Sequence, residues 1–253
     1  MRIDPRHPFA RSVWWSLVVL NLAFALLLLV LAVVKPFTIS DAERAFNVDP
    51  SYSERIVDRM EPSLFISLAK QFDLDAEMSF ANWVSTLQFA LCGLLAFLVY
   101  SSLPRKRNLI AAGWLLAGAG MLFLSIEEAT GFHEIVGVSL GGPETISVGP
   151  LSWHMVYRWV LIYSIPLLLA AVLLVLWIRK AMPEEPGLRR LVILGVASWV
   201  VTLLLEGIGT SIPHAFTRVE IFFEELFETV GALLFIYSFA HFQSRISSSP
   251  LTH

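Results

Sequence analysis

Six apolar runs divide this chain: Val13–Val34, Phe80–Leu103, Leu109–Glu128, Met155–Ile178, Leu191–Ile212 and Val219–Phe242. Each is about 20 residues or slightly longer, the length that crosses a hydrocarbon core of about 30 Å. A backbone inside a bilayer must satisfy its own hydrogen bonds, so an isolated run of this length becomes an α-helix. Only 15% of the residues are charged and 56% are apolar, which excludes an ordinary soluble domain. The expected fold is all-α: a polytopic membrane protein, one integral domain over residues 1–253, built as a bundle of six transmembrane helices. The first run is too long for a signal peptide and lacks a small-residue cleavage site. No repeat, low-complexity tract or linker divides the chain further.

Orientation follows from Lys and Arg in the short flanks. Arg2, Arg6 and Arg11 precede the first span; Arg105, Lys106 and Arg107 follow the second; Arg179, Lys180, Arg189 and Arg190 lie between the fourth and fifth; Arg245 follows the sixth. The 131–152 segment, rich in Gly and with Pro143 and Pro150, reads as a loop and carries no basic residue; the 213–218 turn carries only Arg218. Both termini are therefore expected in the cytoplasm, and residues 35–79 form an external loop. Within that loop Pro62 can start a short helix, Ser63–Gln71, lying on the membrane surface or packed as a loop helix. Cys92 sits alone mid-span and reads as packing filler. No basic patch points to nucleic acid. The Trp and Phe residues are expected mostly at the lipid face or the interface.

Ionisable groups at the edge of a bilayer are expensive and default to a functional role. They concentrate in Ser125–Glu134, S-I-E-E-A-T-G-F-H-E, where Glu127, Glu128, His133 and Glu134 arrive within one short stretch. The six-span topology brings others to the same outer level: His154 and Arg158 before the fourth span, Glu206 near the end of the fifth, His214 in the turn, and Glu220, Glu224, Glu225 and Glu228 at the start of the sixth. Glu220, Glu224 and Glu228 stand four apart and share one helical stripe, where like charges repel. Such carboxylates need shared protons, basic partners or a bound cation. Arg158 and Arg218 are the chief basic partners at hand. Carboxylates with neutral imidazoles are also the ligand set of Zn, Mn or Fe. The candidate metal ligands are thus Glu127, Glu128, His133, Glu134, His154, Glu206, Glu224, Glu225 and Glu228, and Glu128, Glu206 and Glu228 are expected to meet. Protonated carboxylates in an ion path and plain hydrogen bonding at helix ends account for the same residues. Asp73, Asp75 and Glu77 alternate as a solvated loop does. Asn82, Ser85 and Gln88 fall three apart on one face of the second span. No H-E-x-x-H, Gly-rich phosphate loop or G-x-S-x-G is present, and no catalytic residue is assigned.

Five pieces carry a resemblance: F-D-L-D-A-E at Phe72–Glu77, the Ser85 region, F-L-S-I-E-E at Phe123–Glu128, His133-Glu134, and E-E-L-F-E at Glu224–Glu228. Together they resemble a family of bacterial six-span membrane proteins without an assigned function. Members usually show S-x-D-E where this chain has Ser125-Ile126-Glu127-Glu128. The resemblance covers residues 72–240; it implies the six-span fold in a bacterial inner membrane and this site, and it implies no activity. Three functions suit the pattern. The first is a metal-dependent membrane enzyme whose lipid-type substrate enters sideways. The second is a proton- or cation-coupled transporter or channel. The third is an accessory subunit whose external loops bind a partner. Below Glu206 and Glu228 only weak polar groups such as Ser198, Thr202 and Ser238 continue inward, which favours a site over a path.

Overall fold

A computed structural model of the chain describes residues 8–33, 79–103, 108–139, 145–148, 151–154, 158–209 and 216–248. Its elements in order are α1 (Pro8–Val33), α2 (Phe80–Ser102), α3 (Asn108–Thr130), α4 (Phe132–Ser139), a hairpin of β1 (Thr145–Val148) and β2 (Leu151–His154), α5 (Arg158–Ala181), α6 (Pro186–Gly209) and α7 (Thr217–Ser248). Four of these helices, α2, α3, α5 and α6, are long and apolar enough to cross a membrane. The expected surface helix Ser63–Gln71, the Asp73–Glu77 loop and the turn holding His214 lie outside the described residues.

Local chemistry explains the boundaries. Ser79 caps α2: its hydroxyl accepts from the Asn82 amide, and the Asn82 side-chain oxygen accepts from the Ser79 amide, a reciprocal capping box. Gly131 ends α3 at φ 56°, a left-handed conformation that glycine adopts without a Cβ penalty. The chain then restarts as α4, whose early N–H at His133 is accepted by the Glu127 side chain at 3.0 Å. Pro186 opens α6, where its missing N–H costs no helical bond.

The segment 131–152 is therefore corrected from loop to helix plus hairpin. Its Gly and Pro content hid an eight-residue helix and an antiparallel pair in which Thr145 faces His154 and Val148 faces Leu151. Among the described residues β2 ends at His154 and the helix of the fourth apolar run is described from Arg158. The helix of the fifth run begins at Pro186, ahead of Leu191, since the proline can begin a helix while Arg189 and Arg190 stay at its end; it is described to Gly209.

The closest packing joins α6 to α7 and α2 to α3, and α7 lies against α2 to close a four-helix core. Glycines permit both tight crossings. A Cβ on Gly93 would meet the Gly118 carbonyl oxygen at 3.0 Å, and one on Gly195 would meet the Gly231 carbonyl oxygen at 3.0 Å. This close approach of backbones through small residues is the usual means of helix association in lipid. Aromatics fill the middle: Trp114, Phe235 and Phe239 are fully buried. The expectation that Trp and Phe mostly face lipid fails at these positions, where Trp114 packs on Trp177, Phe239 and Phe242, and Phe235 packs on Phe239. Polar tethers add register. Gln88 of α2 donates to Asn21 of α1 at 2.7 Å, and Ser125 of α3 donates to the Thr86 carbonyl at 2.8 Å. At the opposite end Glu185 pairs with Arg245. Cys92 is buried and its thiol points to the Ala232 carbonyl, as filler does.

Helix α5 stands apart. Only 6% of its spanning window is buried inside the protein, against 39% for α2. It leans on α6 and touches α3 and α4 sparingly, which leaves a long opening between α3, α5 and α6.

Candidate functional site

That opening is a cavity of about 860 Å³. Its wall runs from Leu109 to Glu128 on α3, a length of about 28 Å at 1.5 Å per residue, close to the thickness of a hydrocarbon core. Leucine, alanine, glycine and aromatic side chains line most of it. Leu116 and Phe123 of α3 and Leu168 and Leu173 of α5 both line the cavity and are exposed, so it opens sideways between these two helices. Glu127, Glu128, His133, Glu206 and Glu228 line one end of it.

Each of these groups is held by its own helix. Glu127, in the last turn of α3, reaches across the Gly131 turn and binds both the backbone N–H and Nδ1 of His133. A carboxylate on Nδ1 fixes the ring's orientation and tautomer and places acceptor character on Nε2. Trp159, at the start of α5, packs on the imidazole with ring centroids 4.5 Å apart. Glu128, one residue on, turns to the other side and accepts from the Asn82 side chain at 2.8 Å. Asn82 thus caps α2 with its oxygen and holds Glu128 with its nitrogen.

Glu206 of α6 and Glu224 of α7 meet side chain to side chain. Two carboxyls in that contact need a proton or a cation between them. Glu228, one turn deeper on α7, lies within electrostatic reach of Glu225, Glu206 and Glu127, with the Ser85 hydroxyl beside it. Its Oε1 is buried without a hydrogen-bond partner. Glu220 is buried at 8% exposure. The backbone behind them is secured separately: the Trp199 indole donates to the Glu228 carbonyl at 3.2 Å, and Thr202 donates to the Glu224 carbonyl at 3.3 Å.

The expected candidates therefore divide. Glu127, Glu128, His133, Glu206 and Glu228 share one cavity, with Glu224 and Glu225 adjoining through Glu206 and Glu228. Glu134 lies in α4 and His154 in β2, and nothing is described of their side chains or of those of Arg158 and Arg218. Among the described residues no group of three His, Cys, Asp or Glu is arranged to hold one metal ion. One participant escaped the sequence reading. Trp159 resembles any interfacial tryptophan, yet it is 8% exposed and roofs the cavity beside His133. Asn82 and Ser85 stood out as a polar face, but only the packing shows that they serve Glu128 and Glu228.

No curated protein and no solved structure matches the chain. One family model does match it, over residues 22–242, a stretch that takes in every residue of the site. The chain belongs to that family, which is described as a domain of unknown function (DUF8692).

Proposed function

We propose that this is a six-span membrane protein, with both termini inside, that takes a lipid-type molecule sideways from the bilayer and works on its polar head at the outer face. The observation that carries the reading is the continuous opening, apolar along its length and headed at one end by Glu127, Glu128, His133, Glu206 and Glu228. Apolar pockets with a few convergent polar groups are the usual form of a binding or active site. The Glu127–His133 pair supplies an oriented base within reach of a head group, the arrangement general acid–base chemistry requires. A transport path is less well supported, because Thr202 and Ser238 spend their hydroxyls on backbone carbonyls of their own and neighbouring helices.

Gly120 gives a direct test. It lines the opening, and a Cβ there meets nothing within 4 Å. Gly120→Phe should fill the cleft without displacing a neighbour. Lipid extracted with the purified parent and counted by mass spectrometry should fall severalfold in the variant, while its melting temperature stays at or above the parent's, since glycine is a weak helix former. Unchanged lipid retention in a folded variant would end the cleft reading. For orientation, Gly142→Cys should react with an impermeant thiol reagent added outside, and Lys106→Cys should not; the reverse would move the site to the cytoplasmic face.

A second reading, a divalent metal such as Zn, Mn or Fe at the cluster, is favoured by the Glu127–His133 contact, because metal-binding histidines commonly donate their other nitrogen to a carboxylate. Under it, His133 with Glu206 and Glu228 would hold the ion, which would supply an activated water. The checkable outcome is a fall in melting temperature with EDTA at pH 7, reversed by added Zn or Mn through mass action. A parent shown metal-free by elemental analysis and indifferent to EDTA eliminates this second reading and leaves the first.

A further inference from the structure

The head of the cleft is chemically lopsided. Four carboxylates line it with one histidine, and that histidine is engaged by Glu127. Among the described lining residues there is no Lys or Arg. Asn82 supplies a single neutral donor to Glu128. Buried carboxylates without a counter-charge are costly in low dielectric, and the contact of Glu206 with Glu224 shows two of them pressed together. Whatever occupies the head position is therefore favoured if it brings positive charge and N–H donors.

Two further observations point at a ligand. Glu228 lines the cleft with its Oε1 buried and making no hydrogen bond, although the Ser85 hydroxyl lies beside the carboxyl. The Trp159 indole N–H is a buried donor with no partner, on a residue 8% exposed that also lines the cleft at the same end. Buried polar atoms are normally paired. One missing donor and one missing acceptor in the same chamber describe a head that carries both a cationic N–H group and an oxygen.

We propose that the ligand is an amine-headed amphiphile, a long-chain amino alcohol or a lipid of that head chemistry. The ammonium faces Glu206 and Glu228, the neighbouring oxygen accepts from Trp159, and one alkyl chain lies along α3 toward Leu109. The acidic head disfavours a phosphate or carboxylate head, which would add like charge to the cluster. The proposal rests on the lateral-cleft reading above and narrows it to a substrate class.

The test compares three probes of equal chain length on EDTA-treated full chain in nanodiscs: a hexadecyl amino alcohol, hexadecanol and palmitate. Binding is read by competition against a photoactivatable lipid, with Gly120→Phe as the blocked control. The amino alcohol should bind about tenfold or more tightly than either of the others, the scale of one hydrogen bond to a charged group. Glu228→Gln and Glu206→Gln, each checked for an intact melting transition, should weaken amino-alcohol binding far more than hexadecanol binding and so erase most of that preference. Either variant alone suffices if the other fails to fold. Equal binding of all three probes, each abolished by Gly120→Phe, overturns the amine assignment and spares the cleft. Preference for palmitate also overturns it. No competition by any probe that Gly120→Phe can block overturns the assignment and the cleft reading together.

Discussion

Trp114→Ala should lower stability by about 3–5 kcal/mol, the usual loss when a large core aromatic is cut to a methyl group. The indole is fully buried, with ring centroids 5.1 Å from Trp177, 4.9 Å from Phe239 and 5.5 Å from Phe242. These three partners come from α5 and α7, so the ring joins α3 to both. Lipid is as apolar as leucine, and the loss therefore comes from dispersion contacts and an unfilled void more than from transfer out of water. Trp114→Phe isolates that cause. The Trp114 N–H has no hydrogen-bond partner, so phenylalanine removes an unsatisfied donor and keeps most of the packing. Its cost should be well below that of alanine when both are melted in the same detergent. Equal losses for the two variants would mean that the indole nitrogen matters more than the ring.

Gly231→Leu should be more disruptive still and should yield little monodisperse protein. A Cβ at this position would lie 2.6 Å from the Trp199 Nε1 and 3.1 Å from the Gly195 carbonyl oxygen. The carbonyl belongs to a helix and cannot swing aside. Trp199 can move only by leaving the Glu228 carbonyl, to which it donates, and its stack on Phe235 at 4.6 Å. Overpacking by a methylene or so already costs about 1–3 kcal/mol, and leucine brings a whole branched side chain to a crossing where the two backbones already meet closely. Gly120→Leu is the matched control, since open space surrounds that glycine. Size-exclusion profiles of the two variants should differ sharply; similar profiles would show that α6 and α7 do not depend on close approach at this crossing.

The spans most legible in the sequence are those whose ends carry strong local signals. Ser79 and Asn82 announce the start of α2, and the basic cluster after Leu103 fixes its other end. Helix α3 likewise ends where Glu127, Glu128 and Gly131 interrupt the apolar run. The helix of the fifth run starts ahead of its apolar stretch, because a proline can open a helix as readily as it ends one. The segment after Gly131 was misread for a related reason: eight residues hold barely two turns, too few for a period to rise above its glycines. The gathering of Glu127, Glu128, His133, Glu206 and Glu228 could be anticipated from the expected topology, in which charge avoids the bilayer centre and alternating spans would return to the same face. The partners could not. Asn82 donating to Glu128, Trp159 covering His133 and the loose seat of α5 all depend on helix rotation and separation. The apolar pattern leaves these undetermined, because lipid accepts the same residues that the interior does.

The placement of α7 bears on how the molecule is made. The α2–α3 pair can close at Gly93 and Gly118 as soon as both helices have left the ribosome, and Asn82 can engage Glu128 then. Glu206 arrives later on α6, and Glu224 and Glu228 only with α7, the last of the described helices in chain order. During synthesis, domains and their parts form from the N-terminal end first. A nascent chain therefore passes through a stage in which Glu128, and more briefly Glu206, lack the helix that completes their surroundings. Those two carboxyls would distinguish unfinished chains from finished ones to any membrane protease or chaperone that surveys polar groups in lipid.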